Sequence, residues 1–172
     1  MRLFSQRKGI KPVKSVMQVD YMDDDLRNRL WNALCVYYWD RVPKWESISR
    51  YEWLDLLTTK IWDMYLKQPI DTIGYQWYET LGKIRDYYFQ CDWNEVYDLT
   101  EFVANNDDDE SNSADFMDFC NSILEEELSA YRFVGGIILQ TTSEAEIAEI
   151  EQALETPFTP VNEHMKSALD RL

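Results

Sequence analysis

The chain has 172 residues, of which 45% are apolar and 25 are Phe, Trp or Tyr, and it carries a formal charge of −15 at neutral pH. That length and apolar content suit one domain with its own core and exclude disorder, because so much apolar surface stabilises a compact state by more than chain ordering opposes it. The charge argues against DNA as a partner and against any nucleic acid bound across the whole surface, since a phosphate backbone would meet a repulsive field.

Residues 1–15 invert that charge: Arg2, Arg7, Lys8, Lys11 and Lys14 occur without a single acid, leaving 12 basic residues against all 32 acids in the remainder. Complementarity predicts that this arm docks on its own acidic body, with an RNA or lipid contact as the other use open to it. Gly9 and Pro12 predict irregular backbone through the arm, and Val16-Met17-Gln18-Val19 reads as a short strand. Asp23 is placed to cap a helix running to about Asp40, in which Leu26, Leu30, Ala33, Leu34 and Tyr37 recur at three- and four-residue spacing; Pro43 closes it. Ser49 with Glu52 forms a capping box ahead of a second helix, with Leu54, Leu57, Ile61 and Met64 on one face, and Pro69 ends the turn that follows.

A third helix uses Trp77, Tyr78, Leu81, Ile84 and Tyr88, and a fourth opens at Asp92 with Glu95 three residues on. The wholly polar stretch 105–113 is expected to be a mobile acidic loop, because it offers nothing to a core. A fifth helix carries Phe116, Phe119, Cys120, Ile123 and Leu124. Tyr131-Arg132-Phe133-Val134 and Ile137-Ile138-Leu139-Gln140 then flank Gly135-Gly136, which predicts an antiparallel hairpin over 131–140 with a two-residue turn of positive φ. Ser143 with Glu146 opens a sixth helix. Thr159 and Pro160 open a seventh over 160–172, whose stripe of Val161, Met165, Ala168, Leu169 and Leu172 is still running at the last residue and is expected to lead into a further domain. The fold expected is therefore mainly α: a single helical domain over 1–172, of about seven helices, with one small hairpin that the strand at 16–19 is free to join.

Three widely spaced cysteines, Cys35, Cys91 and Cys120, lie within apolar helical pattern and are expected to be buried, reduced thiols of a cytoplasmic protein. No secretory leader and no apolar run of bilayer length is evident, so no membrane is expected. His164 is the only histidine, which excludes paired-histidine metal sites, and no serine sits in a nucleophile elbow. Asp107, Asp109, Ser111, Ser113, Asp115 and Asp118 have the spacing of an EF-hand calcium loop. However, Asn112 stands where that loop needs glycine, Ala114 replaces the branched apolar residue, and Asp118 is short for the bidentate ligand. A solvated linker is the better reading of this stretch. The same holds for Glu125-Glu126-Glu127, whose consecutive helical side chains should diverge onto a solvated face. There is no phosphate-binding glycine loop among five glycines, and no cofactor is expected.

Trp31, Trp39, Trp45, Trp53 and Trp62 fall beside the apolar stripes as often as within them. Core packing is the simpler explanation. The other is a ridge of exposed anchors gripping a partner, with Trp39, Trp45 and Trp53, and the arm's Arg2, Arg7, Lys8, Lys11 and Lys14, as candidates.

The segment Phe4-Ser5-Gln6-Arg7-Lys8-Gly9 through Asp25-Leu26-Arg27-Asn28-Arg29-Leu30-Trp31-Asn32, together with Leu128-Ser129-Ala130-Tyr131-Arg132-Phe133-Val134, resembles the N-terminal domain of AbiJ-type abortive-infection proteins of the fourth class. The resemblance covers nearly the whole chain. In that family a C-terminal HEPN domain, thought to be an RNA-cleaving toxin, follows; its signature is an arginine, four to six residues, then histidine. The positions that would supply that arginine to His164 are Pro157, Phe158 and Thr159, so the signature is absent here. The resemblance thus implies a non-enzymatic sensing or regulatory half whose partner is a HEPN-type domain, with a phage or host protein as trigger and homo-oligomers left open. The residues alone keep a second reading alive, a metal-dependent binding or catalytic domain with Asp107, Asp109 and Asp118 as ligands.

Overall fold

The structure, a computed structural model, describes residues 4–10 and 14–141. The helices expected at 143–154 and 160–172 lie outside those residues, as do His164, Arg2 and Lys11. A single turn, α1 (Phe4–Arg7), replaces the irregular backbone expected of the arm, and Gly9 at φ 69° ends it where a Cβ would be strained.

The strand expected at 16–19 shrinks to one residue. Gln18 alone pairs, in parallel with Ser129, its N–H donating to the Leu128 carbonyl at 2.7 Å and its carbonyl accepting from the Ala130 N–H at 3.0 Å. The valines do not seat because the anchor is polar: the buried Gln18 side chain donates to the Glu127 carbonyl at 2.8 Å and accepts from the Asp23 N–H at 2.7 Å. Asp20, at φ 55°, then turns the chain into the next helix.

In α2 (Asp24–Tyr37) the Asp23 carboxylate caps the Leu26 N–H at 2.9 Å, and Leu26, Leu30, Trp31, Ala33 and Leu34 are buried. A 3-10 turn, Trp39–Arg41, follows. A second one, Ile48–Arg50, precedes α3 (Glu52–Lys60), so the expected capping by Ser49 does not occur. Burial of Ile48 sets the turn there, the N-cap is Tyr51, and the Ser49 hydroxyl lies 3.0 Å from that of Ser47 instead. α3 continues as a π-helical segment, Ile61–Tyr65. The wider turn rotates the register, so that Trp62 enters the core and Met64, expected there, is 57% exposed.

α4 (Trp77–Gln90) and α5 (Trp93–Asn106) are joined by a short connection that Asp92 and Glu95 close as a reciprocal capping box. α6 (Glu110–Glu126) starts only three residues after α5, so the long acidic loop expected over 105–113 is a connection of 107–109 alone. The reason is local: the Asp109 carboxylate caps the Asn112 N–H at 3.2 Å and recruits the polar residues after it into helix. Phe116, Cys120, Ile123 and Leu124 of α6 are buried, whereas Phe119 lies half out against Tyr37.

The hairpin forms in the expected register, β1 (Tyr131–Val134) against β2 (Ile137–Gln140), with Gly135 at φ 59° and Gly136 at φ 90°. Its edges are covered from the helices. Asn121 of α6 both accepts from the Phe133 N–H at 2.7 Å and donates to its carbonyl at 3.0 Å, while Glu101 of α5 accepts from the Ile138 N–H at 2.5 Å. α2 packs on α6 and α5, α4 and α3 lean on α5, and the hairpin closes the α5–α6 side. The shared core contains Leu26, Leu34, Leu54, Ile84, Val96 and Phe116, each at most 1% exposed and worth about 1.5–3 kcal/mol of transfer free energy when fully buried. Among the described residues no helix is long and apolar enough to cross a membrane.

Candidate interaction face

Two extended segments come together ahead of α4. Ser47 and Gln76 form an antiparallel bridge, the Tyr78 N–H donates to the Lys44 carbonyl at 2.9 Å, and the Trp77 N–H donates to the Glu46 carbonyl at 2.9 Å. At this junction Ile48 and Trp77 are buried, at 3% and 0% exposure, while Trp45 and Tyr75 are exposed at 78% and 76%. Tyr78, at the first turn of α4, joins them, its ring centroid 5.4 Å from that of Trp45.

The platform beneath is stiff. The Trp77 indole N–H donates to the Trp39 carbonyl at 2.9 Å, and the two indole rings lie 5.7 Å apart in the core. Gln76 and Glu79 make a capping box at the start of α4, and the buried Thr80 hydroxyl bonds both the N–H and the carbonyl of Gly74, at 3.0 and 3.3 Å. Arg50 is ion-paired with Glu46 at the rim beside Tyr75, and the Arg41 guanidinium stacks 5.1 Å over the half-buried Trp53. An exposed, pre-ordered Trp–Tyr–Tyr group with Arg50 at its margin has the composition of protein-binding hot spots.

The tryptophans expected as anchors therefore divide. Trp45 is on the face, Trp53 is half-buried beneath the Arg41 guanidinium, and Trp39 is corrected to a core residue, because Trp77 and Tyr38 close over it. Tyr75 and Tyr78 were not foreseen as surface residues. No periodicity signals them, because the chain passes there from an extended segment into the first turn of α4.

The described part of the basic arm meets the acidic body at Lys14, which pairs with Asp23 at 2.7 Å, with Asp25 at 3.5 Å and with Glu127. Arg7 and Lys8 are exposed. Arg29 reaches Glu126 at 2.6 Å and Glu127 at 2.8 Å, so these two carboxylates, expected to diverge into solvent, converge on one guanidinium because Glu127 is the C-cap of α6. Burial alone would raise the Glu127 carboxyl, but the bonds from Lys14 and Arg29 outweigh it and hold the group below its usual range. Asp23 is lowered in the same way by Lys14 and the Leu26 N–H.

The metal alternative is not assembled. Asp107 and Asp109 sit in the connection, while Ser111, Ser113, Asp115 and Asp118 are on α6, and nine helical residues separate Asp118 from Asp109 by about 14 Å. Calcium ligands must converge to about 2.3–2.6 Å from the ion. Instead Asp107 accepts from the Asn112 amide at 2.7 Å and Asp108 faces Lys60 at 3.6 Å, and no group of three acidic, His or Cys side chains able to hold a metal occurs among the described residues. Cys120 is buried and Cys35 and Cys91 half-buried; all are unpaired thiols, and burial pushes the Cys35 thiol up to about 11.

The model of one known family, described as AbiJ N-terminal domain 4, matches residues 2–156. No curated protein and no solved structure matches the chain.

Proposed function

The chain belongs to the AbiJ N-terminal domain 4 family, which ties it to abortive infection, and from that premise we propose that it is a non-enzymatic sensing or regulatory module that works by binding protein. The carrying observation is the Trp45–Tyr75–Tyr78 face: three large aromatic side chains held in the open by a hydrogen-bonded frame whose inward residues are fully packed. The proposed partner is a HEPN-type RNA-cleaving domain, which the module restrains until a phage or host protein trigger arrives.

The test has two arms. Purified 1–172 should cleave RNA no faster than a heat-killed control; cleavage above it would sink the non-enzymatic reading. In cells expressing the full-length protein, Trp45→Ala with Tyr75→Ser should abolish control of phage infection while the protein accumulates at its normal level. Unchanged plaque formation by that variant would remove the face from the proposal.

A further inference from the structure

We infer that the basic arm docks on a second copy of this chain, its Phe4, Lys8 and Ile10 seated against the Val36–Tyr37–Phe119 patch of that copy, so that two molecules exchange arms. The surface is separate from the Trp45 face. Among the described residues fourteen large apolar side chains are exposed, and six of them, Phe4, Ile10, Val16, Met17, Val19 and Tyr21, fall within the first 21 positions. Single exposed apolar residues are ordinary, whereas one segment that concentrates them marks an interaction site.

They stay outside because the arm is rooted through polar groups. Gln18 takes the buried position, bonding the Leu128 and Ala130 backbone and the Glu127 carbonyl, and Lys14 lies among Asp23, Asp25 and Glu127. Upstream of Lys14 the backbone bonds of α1 are local: the Lys8 N–H donates to the Phe4 carbonyl at 3.0 Å and the Ile10 N–H to the Ser5 carbonyl at 2.8 Å. Phe4 and Ile10 are 64% and 72% exposed there, so their own body leaves both side chains unused.

Charge names the occupant. Five basic residues and no acid precede Asp20, whereas 12 basic residues face 32 acids in the remainder. A bilayer or an RNA also offers anions, but either would set its phosphates against the acidic body. A second copy presents acid at the contact itself, and at an ionic strength of about 0.15 M its more distant charges, beyond about 8 Å, are screened. The patch matches the arm in kind. Val36 is exposed, and the ring of the next residue, Tyr37, lies 5.6 Å from that of the half-exposed Phe119. Asp115 stands one turn before Phe119 on the same face of α6, and Lys8 stands one turn after Phe4; both are exposed, and neither has an ion pair among the described residues. An apolar residue with a base one turn away thus meets an apolar residue with an acid one turn away. Each copy carries both arm and patch, so a two-fold axis joins both pairs at once and closes the assembly.

Sedimentation velocity of the full chain at about 0.15 M ionic strength tests this. The expected result is a reversible dimer with a dissociation constant in the micromolar range. Phe4→Ser with Ile10→Ser should weaken it at least about tenfold without changing the far-UV circular dichroism, since both side chains are exposed. Lys8→Glu should also weaken the dimer, and adding Asp115→Lys should restore it, a reversal that loss of folding cannot produce. Trp45→Ala should leave it unchanged. A chain that stays monomeric up to about 0.1 mM, a dimer that the arm variants do not weaken, or a charge exchange that restores nothing would overturn the inference. So would arm-dependent pelleting with phosphatidylserine vesicles, or arm-dependent retention of single-stranded RNA, in place of self-association.

Discussion

Replacing Gly74 by alanine should unseat the aromatic face from below. A Cβ at that position would stand 2.6 Å from the Glu79 Cβ, 3.1 Å from its carboxylate and 3.1 Å from the Thr80 hydroxyl. The nearest atom belongs to the stem of a side chain in the first turn of α4, so the backbone must move. Relieving such a clash costs about 1–3 kcal/mol. Moving residue 74 away also strips the buried Thr80 hydroxyl of its two backbone bonds, at about 1–3 kcal/mol more. A combined loss of about 2–6 kcal/mol corresponds to a melting temperature lower by roughly 4–24 °C in a chain of this size. Gly82, in the interior of the same helix, is the control: its Cβ would meet nothing within 4 Å. Gly82→Ala should therefore stabilise the protein by about 0.5–1 kcal/mol, since alanine removes the entropy that glycine loses on entering helix. Thermal melts by far-UV circular dichroism read both variants. An unchanged melt for Gly74→Ala, or shifts of the same sign in the two, would refute the packing argument.

Trp45→Ala with Tyr75→Ser should leave stability within about 0.5 kcal/mol, because both side chains are exposed, yet weaken partner binding by more than about thirtyfold; calorimetry against the proposed HEPN-type domain checks the second part. The depressed Asp23 and Glu127 carboxyls contribute stability that is present above their unfolded values, near 4, and is lost as pH falls through their lower folded ones. Urea titrations between pH 6 and 3 should show that decline, and Glu127→Gln should flatten it. Glu101 has the opposite sign: burial raises its carboxyl, so its contribution is full at low pH and fades as pH rises through the folded value. Glu101→Gln keeps an acceptor for Ile138 and should raise stability at pH 7, measured by the same titration. A thiol reagent at pH 7 should modify Cys35 and Cys91 slowly and Cys120 only on unfolding, since Cys120 is wholly buried.

The aromatic face was half legible. Trp45 stood out because it falls outside every apolar stripe, but Trp39 stood out for the same reason and lies in the core. The difference comes from Trp77, 38 positions further on, whose indole bonds the Trp39 carbonyl and whose ring covers its neighbour. No window of sequence around Trp39 contains that information.

What the chain dictated on its own is whatever acts over three or four residues. Asp23 and the Asp92–Glu95 box set helix starts because a carboxylate reaches its own first turn, and Gly135-Gly136 set the hairpin because only that pair adopts two successive positive φ values without strain. Periodicity likewise located every helix from α2 to α6. Tertiary contacts decided the rest. The π turn at Ile61–Tyr65 exchanged Met64 for Trp62, a buried glutamine displaced two valines as the anchor of the N-terminal segment, and Arg29 gathered two glutamates that local geometry would separate. For Gln18 and Arg29 the deciding partners lie about a hundred residues away, and the free energy of burial or ion pairing exceeds the small local preference it overrides.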